Sequence, residues 1–222
     1  MKRASLVQTL KSIIERSYGL PEVIGDVAPF IVGDRGYSTL YGSGPESGTE
    51  AGAGARVMVR RDGERLRAAL YYPDALVRHL ERFNPLVGVG DENIDAFATL
   101  VEELDHLVLL AGRAAAARPA SLLELEYHAG VTKYLMVLHF LARQRRRRRL
   151  PEPYRRWARH HLFEKYAGGD DAAAVRYRDA ASLARRYVRY LEGLSAPQRV
   201  AELRQLEQRS FADTRSLIAR LA

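Results

Sequence analysis

Cysteine is absent from this chain of 222 residues. Its absence excludes disulfide bridges, thiolate-bound metals and cysteine nucleophiles, and it agrees with a reducing compartment. Long apolar runs are absent too, since no segment approaches the roughly 18 apolar residues of a membrane span. Residues 4–17 are amphipathic where a signal peptide would be apolar. We therefore expect a cytoplasmic protein with no membrane partner.

Lysine is scarce, because arginine supplies all but four of the 35 basic residues. This ratio, together with abundant alanine, agrees with a GC-rich, bacterial source. The net charge of +8 is unevenly distributed: residues 1–142 carry a net charge of −3, and residues 143–222 carry +11. Such asymmetry favours an acidic partner for the second part of the chain.

The hydrophobic periodicity predicts a mainly α protein of the α+β type, with a small β-hairpin or sheet near residues 56–72. Asp62-Gly63 between two strand-like arms favours a two-residue hairpin turn. A lone hairpin is only marginally stable, so we expect residues 30–32 to add a strand. The glycine-rich stretch 41–54 is predicted to be a mobile linker.

Two long helices, 93–116 and 121–143, are predicted to pack as an antiparallel pair. Ser121 and Glu124 form a capping-box pattern at the start of the second helix. Further helices are predicted at 153–166, 171–193 and 197–221. The helical pattern favours an N-terminal α+β domain over 1–143 and a basic helical region over 150–222, either separate or packed as one domain.

Three residues of the long helices form a candidate metal site. Glu102 and His106 are one helical turn apart and share a face, and Glu126 comes early in the next helix. A short return loop can bring Glu126 near His106. Two ligands from one helix and a third from the next is a common way to hold a metal ion.

The sequence from Glu102 to His106, followed by Glu126, resembles the HExxH-plus-glutamate pattern of the gluzincin metallopeptidases, of which thermolysin is a member. The resemblance implies a zinc-binding role for His106 and Glu126 and a catalytic general base at Glu103. Glu102 replaces the first histidine, and Gly130 replaces an aspartate near the third ligand. A site of two glutamates and one histidine admits Mn²⁺ or Fe²⁺ beside Zn²⁺ and activates water less well. These departures favour a binding role over catalysis.

A simpler interpretation needs no metal or other cofactor. Glu102 and His106 can form an ordinary pair on one helix face, and Glu126 can pair with an arginine. His128 and His139 are three turns apart, roughly 16 Å, which is too far to share one ion. They are interpreted as surface positions or as partners in helix–helix hydrogen bonds.

A run of arginines forms a candidate binding surface for nucleic acid or for an acidic protein. Such a run binds phosphates without sequence preference and with strong salt dependence, and nearby aromatic residues suit single-stranded nucleic acid. The run also fits a solvated helix end, since cations favour a helix C-terminus. Self-association through the two oppositely charged parts is a further alternative. The candidate binding residues are Arg145, Arg146, Arg147, Arg148, Arg149, Arg155 and Arg156.

Three functions follow from these patterns. The first is a binding or accessory protein with a non-peptidase Glu-His-Glu centre. The second is an electrostatic nucleic-acid-binding protein that uses the arginine run and the basic C-terminal helices. The third is a helical module for protein interaction or self-association.

Overall fold

Nine α-helices and three strands occupy the part of the chain that the computed structural model describes, residues 5–41, 54–63, 65–165 and 171–221. The helices are α1 (Leu6–Tyr18), α2 (Asp34–Tyr41), α3 (Asp74–Arg82), α4 (Ile94–Ala115), α5 (Leu122–Gln144), α6 (Glu152–Arg159), α7 (Ala172–Gly193), α8 (Ala196–Gln208) and α9 (Phe211–Arg220). The predicted mainly α fold with a small β element is confirmed.

The sheet consists of β1 (Ile31–Val32), β2 (Arg56–Asp62) and β3 (Arg65–Tyr71), in the order β1-β3-β2. Strands β2 and β3 are antiparallel, and Gly63 lies between them with a φ of 61°, a left-handed conformation that glycine adopts easily. β1 lies parallel to β3 on the other side. The predicted hairpin and its additional strand are therefore both present, but Asp62 is the last residue of β2 and pairs with Arg65, so the turn begins at Gly63, one residue later than predicted.

The long helices α4 and α5 form the antiparallel pair that the sequence predicts. The hydroxyl of Ser121 caps α5 by accepting a bond from the backbone N–H of Glu124 (3.1 Å). The Glu124 carboxylate lies 2.9 Å from Arg113 near the end of α4. Ser121 thus caps the helix as predicted, while the Glu124 side chain joins the start of α5 to the end of α4 through its ion pair with Arg113.

The C-terminal region differs from prediction in two helices, and the first of them, expected over 153–166, is α6 followed by a π-helical turn at His160–Glu164. The helix expected over 197–221 is two helices, α8 and α9, which are separated at Arg209 and Ser210. Ser210 caps α9 by accepting a bond from the backbone N–H of Asp213 (3.1 Å). A serine followed three residues later by an acidic residue is a start signal for a helix, and it interrupts the long apolar periodicity here.

The hydrophobic core is continuous across the predicted boundary between residues 143 and 150. It includes Phe97 of α4, Tyr127 of α5 and Tyr187 of α7, all fully buried. Gly130 lets α5 and α7 approach closely, since a Cβ atom there would lie 2.9 Å from the Cβ of Ala184. Helix α5 thus packs between α4 and α7.

Two further sequence predictions concern membrane-spanning helices and the glycine-rich stretch. No helix among the described residues is long and apolar enough to cross a membrane. The glycine-rich stretch 41–54, apart from its two ends, lies outside the described residues.

Candidate metal centre

The α4–α5 pair brings Glu102, His106 and Glu126 together. Glu102 and His106 are one turn apart on α4, and Glu126 lies in the second turn of α5. Each residue offers one ligand atom, and the three atoms lie within 4.8 Å of one another. The side chains that the sequence singles out as metal ligands therefore converge.

Two of these ligand atoms are buried without a hydrogen bond. Nε2 of His106 and Oε2 of Glu126 are 3.7 Å apart, and neither has a hydrogen-bond partner among the described residues. Buried polar atoms are normally paired, because an unsatisfied one costs about 1–3 kcal/mol. A cation between the two atoms would satisfy both, so the residues fit a metal ion.

Glu103 lies on the other nitrogen of the same imidazole. Its Oε2 atom is 3.6 Å from Nδ1 of His106 and accepts a hydrogen bond from the backbone N–H of Val57 in β2 (2.8 Å). Metal-binding histidines commonly have a carboxylate at the nitrogen that faces away from the ion. The position of Glu103 therefore suits orientation of His106, with Nε2 left toward Glu126.

Lys133 is a fourth charged group at the centre, which the sequence analysis did not identify. Its Nζ atom lies 2.7 Å from Oε2 of Glu102. A signal was available, because Lys133 follows Glu126 by seven residues, or two helical turns, and so shares its face. Lys133 pairs with one carboxylate oxygen of Glu102. The second oxygen of Glu102 is left for an ion.

The electrostatics of the centre distinguish its two glutamates. Burial raises the pKa of Glu126 to about 7, and the charge of Glu102 adds to this effect. Burial also opposes ionisation of Glu102, but Lys133 and His106 outweigh it and hold the pKa of Glu102 below its usual value. Burial likewise opposes protonation of His106, but Glu103 and the other two glutamates raise its pKa. Protons and a metal ion therefore compete for the same atoms.

A cavity of about 710 Å³ opens beside the centre. Its wall includes Glu102, Glu126 and Lys133, together with residues of α7 and of the π-helical turn His160–Glu164. Tyr177 of α7 lines the same cavity and is half exposed, so its ring lies in the wall beside the centre. The volume is in the range of sites for small ligands. Glu103 is not among the described residues that line the cavity.

Asp105, His128 and Glu207 form a second buried cluster, which joins α4, α5 and α8. The imidazole of His128 lies 2.7 Å from Asp105 through Nδ1 and 3.0 Å from Glu207 through Nε2. Burial alone would lower the pKa of His128, but the two carboxylates raise it to about 10. His128 is thus a helix–helix partner, the second of the two interpretations from sequence, while His139 is exposed.

The arginine run lies on the surface, and of the two candidate arginines that follow it, one is exposed and the other forms ion pairs. Arg145–Arg149 are all exposed, as is Arg156. Arg155 is engaged in ion pairs, at 2.9 Å from Glu152 and 3.4 Å from Glu192. The exposed run therefore remains a candidate binding surface, whereas Arg155 is already paired with two glutamates of the same chain.

The backbone of Arg146 and Arg147 ends helix α5, while the side chains of both residues are exposed. Arg146 has a φ of 51°, the left-handed conformation in which helices commonly end. The backbone N–H of Arg146 donates to the carbonyl of Arg143 (3.1 Å), and that of Arg147 donates to the carbonyl of Ala142 (2.9 Å). These bonds close α5, as the interpretation of the run as a solvated helix end expects. A binding role for the side chains of Arg146 and Arg147 stays a prediction.

No family model, curated protein or solved structure matches this chain. The function is therefore argued from the geometry of its sites.

Proposed function

We propose that this protein binds a divalent transition-metal ion through Glu102, His106 and Glu126 and exposes that ion to a small ligand in the adjoining cavity. The observation that carries the proposal is the pair of buried atoms without hydrogen bonds, Nε2 of His106 and Oε2 of Glu126. Both are metal-ligand atoms, and both belong to the group whose ligand atoms lie within 4.8 Å. A shared cation would satisfy both atoms, whereas without an ion they have only each other among the described residues, at 3.7 Å.

The donor set favours particular metals. One imidazole and two carboxylates suit Zn²⁺, Mn²⁺ or Fe²⁺, whereas Ca²⁺ and Mg²⁺ prefer oxygen ligands alone. Three protein ligands leave at least one coordination position for water or a ligand. The cavity lined by Glu102 and Glu126 gives access to that position.

The position of Glu103 favours binding over peptide hydrolysis. A general base must reach the water on the open side of the metal. Glu103 instead lies at Nδ1 of His106 and accepts the N–H of Val57. An accessory or binding role for the metal centre is therefore the proposal that this geometry supports best.

Metal binding to a glutamate variant tests the proposal. Glu126→Gln keeps the side-chain shape and removes one ligand charge. We expect the Kd for Zn²⁺ or Mn²⁺, measured by isothermal titration calorimetry, to rise about 100-fold or more, since even removal of an outer partner of a metal ligand costs about 10–100-fold. Metal content of protein purified without chelator gives an independent measurement.

Asp95→Asn is the matched control, because Asp95 is on the same helix and lines the same cavity. It removes an equal charge outside the ligand set, so the Kd should stay near that of the wild type. Less than about 0.1 metal per chain, with no binding of added Zn²⁺ or Mn²⁺, would show that the three side chains form only a polar cluster.

A further inference from the structure

A second cavity, of about 310 Å³, lies between α1, α5, α7 and α8. Much of its wall is apolar, with Ile14, Leu138, Val188 and Leu203 among the lining residues. Val200 also lines it and is 38% exposed. The volume is at the lower end of the range for small-molecule sites, so this cavity can hold a small apolar group.

Arginines make up most of the charged part of this wall. Arg148, Arg149, Arg155 and Arg199 all line the cavity. The single carboxylate among its described lining residues is Glu192. Glu192 is already engaged by Tyr134, Arg155 and Arg159. The wall therefore has an excess of positive charge.

Three of these arginines have no carboxylate partner in the described part of the chain. Arg148 and Arg149 form no ion pair there, and Arg199 donates to the backbone oxygens of Leu191 (3.1 Å) and Leu194 (3.2 Å). Burial lowers the pKa of Arg199, and nearby Arg149 and Arg155 add to this effect. These cations are thus close together and only partly neutralised.

We propose that this cavity binds a small amphiphilic carboxylate of the medium-chain fatty-acid class, with its apolar chain against the helices and its carboxylate at Arg148 and Arg149. Arginine suits a carboxylate because its N–H groups match the two oxygens. The apolar wall buries the hydrocarbon chain of the ligand away from water, which favours binding. Tyr18 and Tyr134, the two tyrosines among the described residues of the wall, are buried, so neither offers a free ring face to a nucleic acid base.

Decanoate is the probe, used with the whole 222-residue chain below the concentration at which decanoate forms micelles. We expect saturable binding of one decanoate per chain in isothermal titration calorimetry. Butyrate, which lacks the long chain, and 1-decanol, which lacks the charge, should each bind at least about tenfold more weakly. Displacement of an anionic apolar dye, 1-anilinonaphthalene-8-sulfonate, gives a second readout.

Two paired variants locate the carboxylate. R148Q/R149Q removes the two exposed arginines that line the cavity, and decanoate should bind about tenfold more weakly. R146Q/R147Q removes equal charge at Arg146 and Arg147, which belong to the same run but lie outside the cavity wall. This control should leave the Kd within about twofold. Both pairs are on the surface, so thermal unfolding should confirm that both variants remain folded.

Several outcomes would overturn this proposal: no decanoate binding, decanol binding as tight as decanoate binding, or equal weakening by the two paired variants. Equal weakening would mean that the run acts only through its overall charge. Glu126→Gln separates this cavity from the metal centre, because that variant should bind decanoate as the wild type does.

Discussion

The two nitrogens of His106 have different environments. Nδ1 lies by Glu103, whose carboxylate is itself fixed by the backbone of β2, while Nε2 faces Glu126 without a hydrogen bond. A histidine held in this way is oriented before an ion arrives, which reduces the entropic cost of binding. Glu102 and Glu103 are adjacent in sequence, yet one lines the cavity and the other supports the ring.

Glu103→Gln tests this orienting role. Glutamine can still accept the N–H of Val57, but it carries no charge to stabilise a proton on Nδ1 of His106. We expect the Kd for Zn²⁺ or Mn²⁺ to rise by about 10–100-fold, as for other outer partners of metal ligands. Calorimetry provides the measurement, and Glu81→Gln on the exposed face of α3 is the control. An unchanged Kd would contradict the role.

At the scale of single residues, the sequence predicts the candidate metal ligands better than the residues that hold those ligands in place. Glu102, His106 and Glu126 converge because a spacing of four residues on one helix and a short loop are local features. The contact between Glu103 and β2 joins residues far apart in sequence, and only the folded chain shows it. Asp105 and His128 are a similar case, since neither spacing nor composition pairs them.

The helices α4, α5 and α8 meet at a buried charge cluster. The His128 ring lies between Asp105 of α4 and Glu207 of α8, and Arg113 lies 3.4 Å from the same glutamate. Removing one partner from such a cluster leaves a buried charge unpaired, which typically costs about 3–5 kcal/mol. The cluster therefore fixes how α8 docks on the helix pair.

The stability of the fold should depend on the charge of His128. Its pKa is about 10 in the folded protein, above the ordinary value of 6.5. The native state therefore binds the additional proton, and this contribution is complete below pH 6.5 and is lost as the pH rises through 10. We expect the free energy of unfolding to fall by roughly 2–4 kcal/mol over that window.

Denaturant unfolding at several pH values measures this dependence, and His128→Gln is the comparison because glutamine does not titrate. The variant should be less stable at pH 7 and should show a flatter profile up to pH 10. Parallel profiles for the two proteins would rule out the assignment. An NMR titration of the His128 ring reports its pKa directly, even where the variant folds poorly.

Helix bounds follow from the sequence where the start and stop signals are local. Ser5 caps α1 and Gly19, with a φ of 69°, ends it, and Ser121 starts α5. The division between α8 and α9 was missed because the apolar spacing continues across Ser210. The end of α5 is a different case, since Arg146 adopts there the left-handed conformation that glycine has at the end of α1.

The close packing of α5 and α7 also could not be predicted from the sequence. It depends on Gly130 of one helix and Ala184 of another, which are far apart along the chain. A glycine inside a helix pattern lowers the helix propensity, and nothing local shows which neighbour it admits.

The whole molecule neutralises part of its charge asymmetry internally. Lys165 forms an ion pair with Asp95, so a basic group of the second part contacts an acidic group of the first. The exposed run Arg145–Arg149 is left at the surface. Net charge, which is visible in the sequence, therefore indicates less about partners than the position of the exposed cations.

The nucleic-acid alternative makes a prediction about salt. If the run contacts phosphates, the affinity for a single-stranded oligonucleotide should fall with salt, with a log–log slope of about −0.7 for each phosphate contacted. Fluorescence anisotropy at increasing NaCl concentration measures it, and substitution of Arg146 and Arg147 in R146Q/R147Q should reduce the slope. An affinity that does not change from low to high salt would exclude electrostatic binding.

The hydrogen bond between Val57 and Glu103 also protects the sheet. β2 is the outer strand opposite β1, and an outer strand with free N–H groups can pair with a strand of another molecule. At Val57 that N–H already donates to the carboxylate of Glu103, beside the candidate metal centre. A substitution that removes this acceptor, such as Glu103→Ala, therefore has a second cost, since it leaves the Val57 N–H free to pair with a strand of another chain.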